Sequence, residues 1–402
     1  MESQRQSKRF LYLYALAVAG GSVAYVPFLT ILLPNHVTAF ADEGALKLLA
    51  QLAFAGAIAA SLSNILFGWA SDRSGSRRPW IGTGLAFSSL LLPVMHLATT
   101  PLHLMILIIC WQAALNMMLA PLAAWAGDSV PDSQKGILGG LLAFAPALGA
   151  LAGALVTVPE IASDGGRLVI IGLLAVAMVT PVLLFSRPVP MPHLSTDADQ
   201  PDKPLAQRNA TRSAVISMWI ARLFIQIAEA SLFAFLLLWF RSVDRNFSDN
   251  DAAIIFAVVM AMAVAATLMI GRWSDRAGQP ILPLAICAAI AAFGLLIMAM
   301  ASGLRLAVTG YALFGLSSGI FLALHSSQTL RVLPKPATRG RDLGLFNLTN
   351  TVPSLIMPWL TLAMVPTFGF DALFVLLAEL AFAACLILMT MPGGGHISQT
   401  RQ

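Results

Sequence analysis

Charged side chains are scarce in this chain: Asp, Glu, Lys and Arg make up 11% of its 402 residues, where a soluble domain carries about 25%. So few charges cannot coat a water-exposed surface, which excludes an ordinary soluble protein. Cysteine is scarce as well. Cys110, Cys287 and Cys385 are odd in number, have no metal-like spacing and each sit inside an apolar run, so they read as small buried hydrophobes and not as a disulfide frame. A metal-spaced His/Glu set, a nucleophile elbow and a phosphate-cradling loop are also missing. That argues against an enzyme and leads us to expect neither cofactor nor metal. The net charge of +5 does not point to nucleic acid, because the basic residues sit in short loops between apolar runs, the pattern that orients a membrane protein.

What fills the chain instead is apolar: 58% of the residues are hydrophobic, against roughly 45–50% in a soluble domain. They gather in runs of about 20 residues, the length at which a helix crosses a bilayer. The runs lie near 10–33, 46–70, 80–98, 102–126, 136–158 and 167–186, then 213–240, 252–271, 281–301, 304–329, 342–365 and 371–391. They predict an all-α membrane protein of twelve transmembrane helices in two six-helix halves. The first run, Phe10 to Leu33, is too long for the core of a signal peptide and lacks a small-residue cleavage site, so it is expected to stay as a span. Between the halves, Arg187 to Arg212 holds five prolines and mixed charge with no apolar period, the composition of a flexible linker. The expected organisation is therefore a bundle over 1–186, a cytoplasmic linker over 187–212 and a second bundle over 213–402.

Lys and Arg set the orientation. With the N-terminus inside, 18 of the 24 basic residues fall on the cytoplasmic side, five fall outside, and Arg222 falls within a span. This bias predicts a multi-pass inner-membrane protein, working as a monomer in the lipid bilayer, with both termini in the cytoplasm.

The loop from Gly68 to Trp80 is a short charged knot between two apolar runs, with Gly68 and Gly75 bracketing Asp72 and Arg73, and with Arg77 and Arg78 following. Gly68, Asp72, Arg73 and Gly75 each recur 203 residues later as Gly271, Asp275, Arg276 and Gly278, and Pro131 recurs at the same offset as Pro334. Duplicated hydrophobic halves are a mark of secondary transporters. Asp72 is placed where a carboxylate can meet the exposed N–H groups of a helix that starts at the same surface.

Gly68-x-x-x-Asp72-Arg73-x-Gly75-x-Arg77-Arg78 resembles the loop between spans two and three of the major facilitator superfamily, and Gly271-x-x-x-Asp275-Arg276-x-Gly278 resembles its weaker partner between spans eight and nine. The resemblance covers the whole chain and implies the major facilitator fold. It also implies that Gly68, Asp72, Arg73, Gly75, Arg77, Asp275 and Arg276 form a conformational latch. Asp72 would cap the helix starting near Asp342, and Asp275 the helix starting near Gly136. Residues 71–81 and 340–347 look like the glycoside, pentoside, hexuronide and sucrose symporter branch, although residues 10–33 lack the acidic residues that branch often uses for cation coupling. A rival likeness lies at Ala145-Pro146-Ala147-Leu148-Gly149-Ala150, which is similar to a motif of proton-driven drug exporters.

Ionisable groups within spans are costly and usually face a cavity or a partner. Arg222, Gln226 and Glu229 are spaced by four and three, which puts them on one helical face. Arg222 is a candidate contact for an anionic or hydroxylated solute and Glu229 a candidate proton carrier; the alternative is that the two charges neutralise each other and hold their helix in place. Gln112, Asn116, His325, Gln328, Asn347 and Asn350 are further mid-span candidates for a substrate site, each with interhelical hydrogen bonding as the plainer role. Tyr25, Trp111 and Trp219 are candidates for stacking, with packing as the alternative. Gly149-x-x-x-Gly153 permits close helix approach. The chain is thus expected to be a secondary transporter of a small organic solute such as a sugar, glycoside or organic acid, working by alternating access with the proton as coupling ion. Proton-coupled export of a drug or metabolite is the alternative.

Overall fold

A computed structural model describes residues 5–41, 44–189, 205–277, 281–332 and 339–391. Every regular element among them is helical. The chain divides into two compact units. Unit 1 takes in residues 1–196 with 234–238 and 246–257; unit 2 takes in the rest.

In unit 1, α1 (Lys8–Pro27) starts at Ser7, whose hydroxyl accepts from the Phe10 N–H, a standard way to satisfy an orphan donor in the first turn. Pro27 has no N–H to give, and the chain passes there into a π-helical turn (Phe28–Leu32) before resuming as α2 (Leu33–Ala41). Next, α3 (Ala45–Ser74) ends at Gly75, whose φ of 65° suits a residue without a Cβ. Then α4 (Arg78–Val94) opens with Pro79 in its first turn, and α5 (Pro101–Ser129) opens with Pro101 behind the Thr100 cap. Both prolines sit where a missing N–H costs nothing.

The fifth apolar run, expected as one helix over 136–158, is broken into α6 (Asp132–Leu142) and α7 (Ala145–Val156). The Phe144 N–H closes a tight turn onto the Leu141 carbonyl, and Pro146 in the first turn of α7 has no N–H to continue a ladder. Unit 1 continues with α8 (Asp164–Phe185), capped by Ser163.

The remaining helices are α9 (Leu205–Val243), α10 (Asp249–Ala277), α11 (Leu282–Ala299), α12 (Leu304–Val332) and α13 (Arg339–Thr390). The eleventh and twelfth apolar runs share α13, which bends at Gly369 (φ 79°, ψ 174°), a conformation open in practice to glycine alone. Among the described residues ten helices are long and apolar enough to cross a membrane, and the stretch 140–156, which contains the break before α7, is a shorter apolar one. With the bend in α13, every expected run is helical, the fifth being divided between α6 and α7.

Close backbone approach holds each unit together. In unit 1 a Cβ on Gly149 of α7 would lie 2.9 Å from the Ser22 carbonyl of α1, and Gly153 sits over Pro27, as the Gly-x-x-x-Gly spacing predicts. In unit 2 a Cβ on Gly294 of α11 would lie 2.6 Å from the Phe314 nitrogen of α12. Large aromatics fill the remaining space. Trp111 meets Phe28 edge-on at 4.9 Å in unit 1, and Trp239 meets Phe374 edge-on at 4.9 Å in unit 2. Outward positions are apolar too: Ile65 is 72% exposed and Leu90 66%. This inverts a soluble surface and fits a lipid-facing wall.

Two polar ties in unit 1 were not foreseen from the sequence. Gln6 donates its backbone N–H to Gln134 Oε1 (2.6 Å) and its side-chain amide to the Val189 carbonyl (2.8 Å), and it accepts from Gln134 Nε2 (3.1 Å) and the Val189 N–H (3.1 Å). One buried glutamine thereby joins the segment before α1, the start of α6 and the segment after α8. The second tie joins Arg167, at the start of α8, to Asp249, at the start of α10, across 2.8 Å. Beside it Asn250 Nδ2 donates to Thr157 Oγ1 (3.0 Å) and to the Ala154 carbonyl (3.1 Å).

Candidate functional site

In unit 2, α9 presents Arg222 toward α12 and α13. Arg222 Nε donates to Thr349 Oγ1 at 3.0 Å, and Nη1 reaches the Leu322 carbonyl at 3.4 Å and His325 Nδ1 at 3.5 Å. His325 in turn places Nε2 2.9 Å from the Met218 carbonyl, one helical turn before Arg222 on α9. The Phe321 ring stacks on the imidazole at 5.5 Å. His325 and Thr349 are fully buried. A guanidinium in a span costs at least about 2.5–3.5 kcal/mol at the bilayer centre, and here neighbouring helices supply it with a hydroxyl, a carbonyl and an imidazole.

Gln226 and Glu229 are half-buried on the same helix, with the face-sharing spacing expected of them. The Glu229 charge interacts attractively with Arg222 and also acts on Tyr311, a buried residue of α12. The acid and the base of α9 are therefore electrostatically linked. The side chains of Gln328, Asn347 and Asn350 lie outside the described residues.

In unit 1, Gln112 is half-buried and Asn116 is buried on α5. Asn116 Nδ2 donates to the Gln112 carbonyl (2.9 Å), and its Oδ1 accepts from Asn64 of α3 (3.3 Å). Asn64 was not singled out in the sequence, although a lone amide inside an apolar run was the available signal. Trp111 is wholly buried and packs edge-on against Phe28. Trp219 packs with Val215 and Met391 around Met218.

The charged end of α3 and the turn that follows it fold together. Arg77 pairs with Asp72, donates Nη1 to Ser71 Oγ (2.6 Å), and takes Asp128 of α5 through Nε (3.0 Å) and Nη2 (2.9 Å). Arg78 bonds the Ser186 carbonyl at the end of α8 and lies 5.4 Å from the Trp125 ring centre, in cation–π range. Asp72, Gly75, Arg77, Arg78, Trp125 and Asp128 help to line an open cleft of about 390 Å³. Asp72 thus has its described partner inside its own loop, while the side chains of Asp275, Arg276 and Asp342 lie outside the described residues. Gly68 lies within α3 and Arg73 is exposed near its end. Asp128 was missed in the sequence, where an acid at the end of an apolar run looks like a topology marker.

Apolar-walled helices of spanning length, polar groups buried at mid-span and a self-paired charged loop define a membrane carrier in class. Comparison with known proteins supplies the family. The chain belongs to the Major Facilitator Superfamily, whose model matches residues 10–335 and 218–398. It is a transporter and not an enzyme. No curated protein matches it significantly. Among solved structures it is similar to a bacterial homologue of the human lysosomal transporter Spinster, in an inward-facing and unoccupied conformation, with a TM-score of 0.66, 16% identity and 95% of each chain covered. It is also similar to the nucleoside transporter NupG (D323A mutant), with a TM-score of 0.68, 15% identity, and 96% of this chain and 100% of that one covered. At these identities the likeness concerns the fold.

Proposed function

We propose that this transporter imports a small organic solute, sugar-like or an organic acid, by proton symport and alternating access, with Arg222 as the principal solute contact and Glu229 as the proton carrier. The observation that supports this most is the mid-span guanidinium of Arg222, which meets the Thr349 hydroxyl, the Leu322 carbonyl and His325 of α12 and α13 and which is linked in charge to a carboxyl group two turns away. Proton loss or gain at Glu229 changes the field at Arg222, and so the solute's affinity, which is what coupling requires. Gln226 lies between them on the same face.

In this reading the protein is a monomer of the inner membrane with both termini in the cytoplasm, and 1–186 and 213–402 act as the moving halves. The Gly68–Arg77 loop and its repeat at Asp275–Arg276 serve as the conformational latch. The glycoside and hexuronide symporter branch is the favoured subfamily on the residues of its loops. Proton-coupled export is the second reading, favoured by the tight seating of α7 on α1 through Gly149 inside the exporter-like stretch.

The test is transport in sealed vesicles with the pH gradient imposed in each direction, on solutes chosen by a thermal-shift screen. Uptake driven by a proton gradient directed the same way as the solute supports symport. Movement driven only by an opposed gradient selects export.

A further inference from the structure

We infer that the outward face of α13 around Glu379 is a docking surface for a spanning helix of a second membrane protein, one that carries a lysine or arginine at mid-bilayer depth. Glu379 lies ten residues after the bend at Gly369 and eleven before the end of α13 at Thr390. At a rise of 1.5 Å per residue, about 15 Å of helix separates it from either end, which puts it in the middle of a hydrocarbon layer about 30 Å thick. Its side chain is exposed and makes no hydrogen bond or ion pair with any described residue. The docking face uses none of the residues proposed above to bind or couple the solute.

The helix around Glu379 has two faces. Leu373, Leu377, Ala381 and Ala384 are wholly buried on the inward one, where Phe374 meets Trp239. Val375, Phe382, Leu386 and Met389, between 41% and 68% exposed, share the outward face with Glu379. Side chains of that kind wall a lipid-facing surface and not a water-filled cavity. A carboxylate among them is left without solvent. Acyl chains offer it neither a donor nor a charge, and headgroups about 15 Å away are beyond the reach of a glutamate side chain. At that depth it can be satisfied by a polar group carried on another spanning helix.

Charge selects the partner. A two-fold contact between copies of this chain would set Glu379 against Glu379, and like charges repel, whereas a lysine or arginine neutralises the carboxylate and donates to it. The spacing suits a helix as well. Val375, Glu379, Phe382, Leu386 and Met389 follow one another by four, three, four and three residues, the repeat along which two helices pack, and a single polar residue in such a seam fixes its register. Ala383, half-buried one turn after Glu379, is small enough to let a second backbone approach.

The experiment uses the full-length protein in phosphatidylcholine vesicles, with photoreactive p-benzoylphenylalanine in place of Phe382 on the docking face or, as a control, in place of Phe293, an outward residue of α11 that is 59% exposed. The probes are tryptophan-flanked leucine-alanine peptides of about 23 residues, long enough to span, that differ only in a central lysine, leucine or glutamate. With the label at 382, the lysine peptide should crosslink at least about fivefold more than the other two, the scale of one interhelical polar contact. The excess should vanish in Glu379→Leu, and the label at 293 should not distinguish the peptides. Equal yields of the lysine and leucine peptides, an excess that survives Glu379→Leu or appears equally at 293, or a glutamate peptide that crosslinks best would overturn the inference. So would a crosslink between two copies of this chain that outcompetes the lysine peptide. Because Glu379 faces outward, purified Glu379→Leu is expected to unfold at or above the wild-type temperature; a lower one would assign the carboxyl to this chain's own packing and overturn the docking role too.

Discussion

Asp249 Oδ2 lies 2.8 Å from Arg167 Nη1, and the two side chains are only 18% and 13% exposed. The start of α10 is thereby tied to the start of α8 inside unit 1. Removing one partner of a fully buried pair costs about 3–5 kcal/mol; at this partial burial, with Asp164 as a second acid 3.4 Å from Arg167, about 1–3 kcal/mol is expected. Asp249→Asn should therefore lower the unfolding temperature of the purified protein, and Arg167→Gln should add little on top of it. Full additivity of the two losses would show that the pair is not coupled.

The Asp72–Arg77 pair should behave differently. Asp72 is 63% exposed and Arg77 keeps Asp128 as a second acid, so an exposed pair of this kind contributes at most about 1 kcal/mol. Asp72→Asn is expected to leave thermal stability nearly unchanged while transport falls at least about tenfold, because the loop is proposed to act as a latch. Wild-type transport in this variant would remove the latch role.

Gln6 is a structural tie with a distinct readout. Gln6→Ala strips the Val189 carbonyl and N–H of their partners in a partly buried setting, while the bonds to Gln134, made by the Gln6 backbone, remain; leaving such groups unsatisfied costs about 1–3 kcal/mol. Lower stability should come with faster amide hydrogen exchange at Val189, whose N–H now donates to Gln6 Oε1. Unchanged exchange there would mean that the glutamine is not what protects it.

Glu229 is tested through coupling. Glu229→Gln keeps the shape of the side chain and removes its charge, so the variant should exchange solute across the membrane but fail to concentrate it under an imposed pH gradient. Accumulation at the wild-type level would exclude Glu229 as the proton carrier.

Much of this architecture was legible in the residues. Apolar run length placed the spanning helices, and the Arg222, Gln226 and Glu229 spacing placed three polar groups on one face, because both depend only on the local geometry of a helix. The break before α7 was half visible in Pro146. The partners were not visible: Gln6 with Gln134, Arg167 with Asp249, Asn64 with Asn116, and His325 with Met218 each join residues far apart in the chain.

By itself, then, the sequence determined that this chain lives in a bilayer, that one charged motif recurs at a fixed offset in its two halves, and which helical face bears its charges. Composition and periodicity are enough for that, since an apolar run of spanning length has no other stable solvent. Only the tertiary structure decided that His325 and Thr349 stand beside Arg222 and that Asp72 pairs with the nearby Arg77. Those outcomes depend on which helices lie side by side, and a hydrogen bond forms or fails over tenths of an ångström.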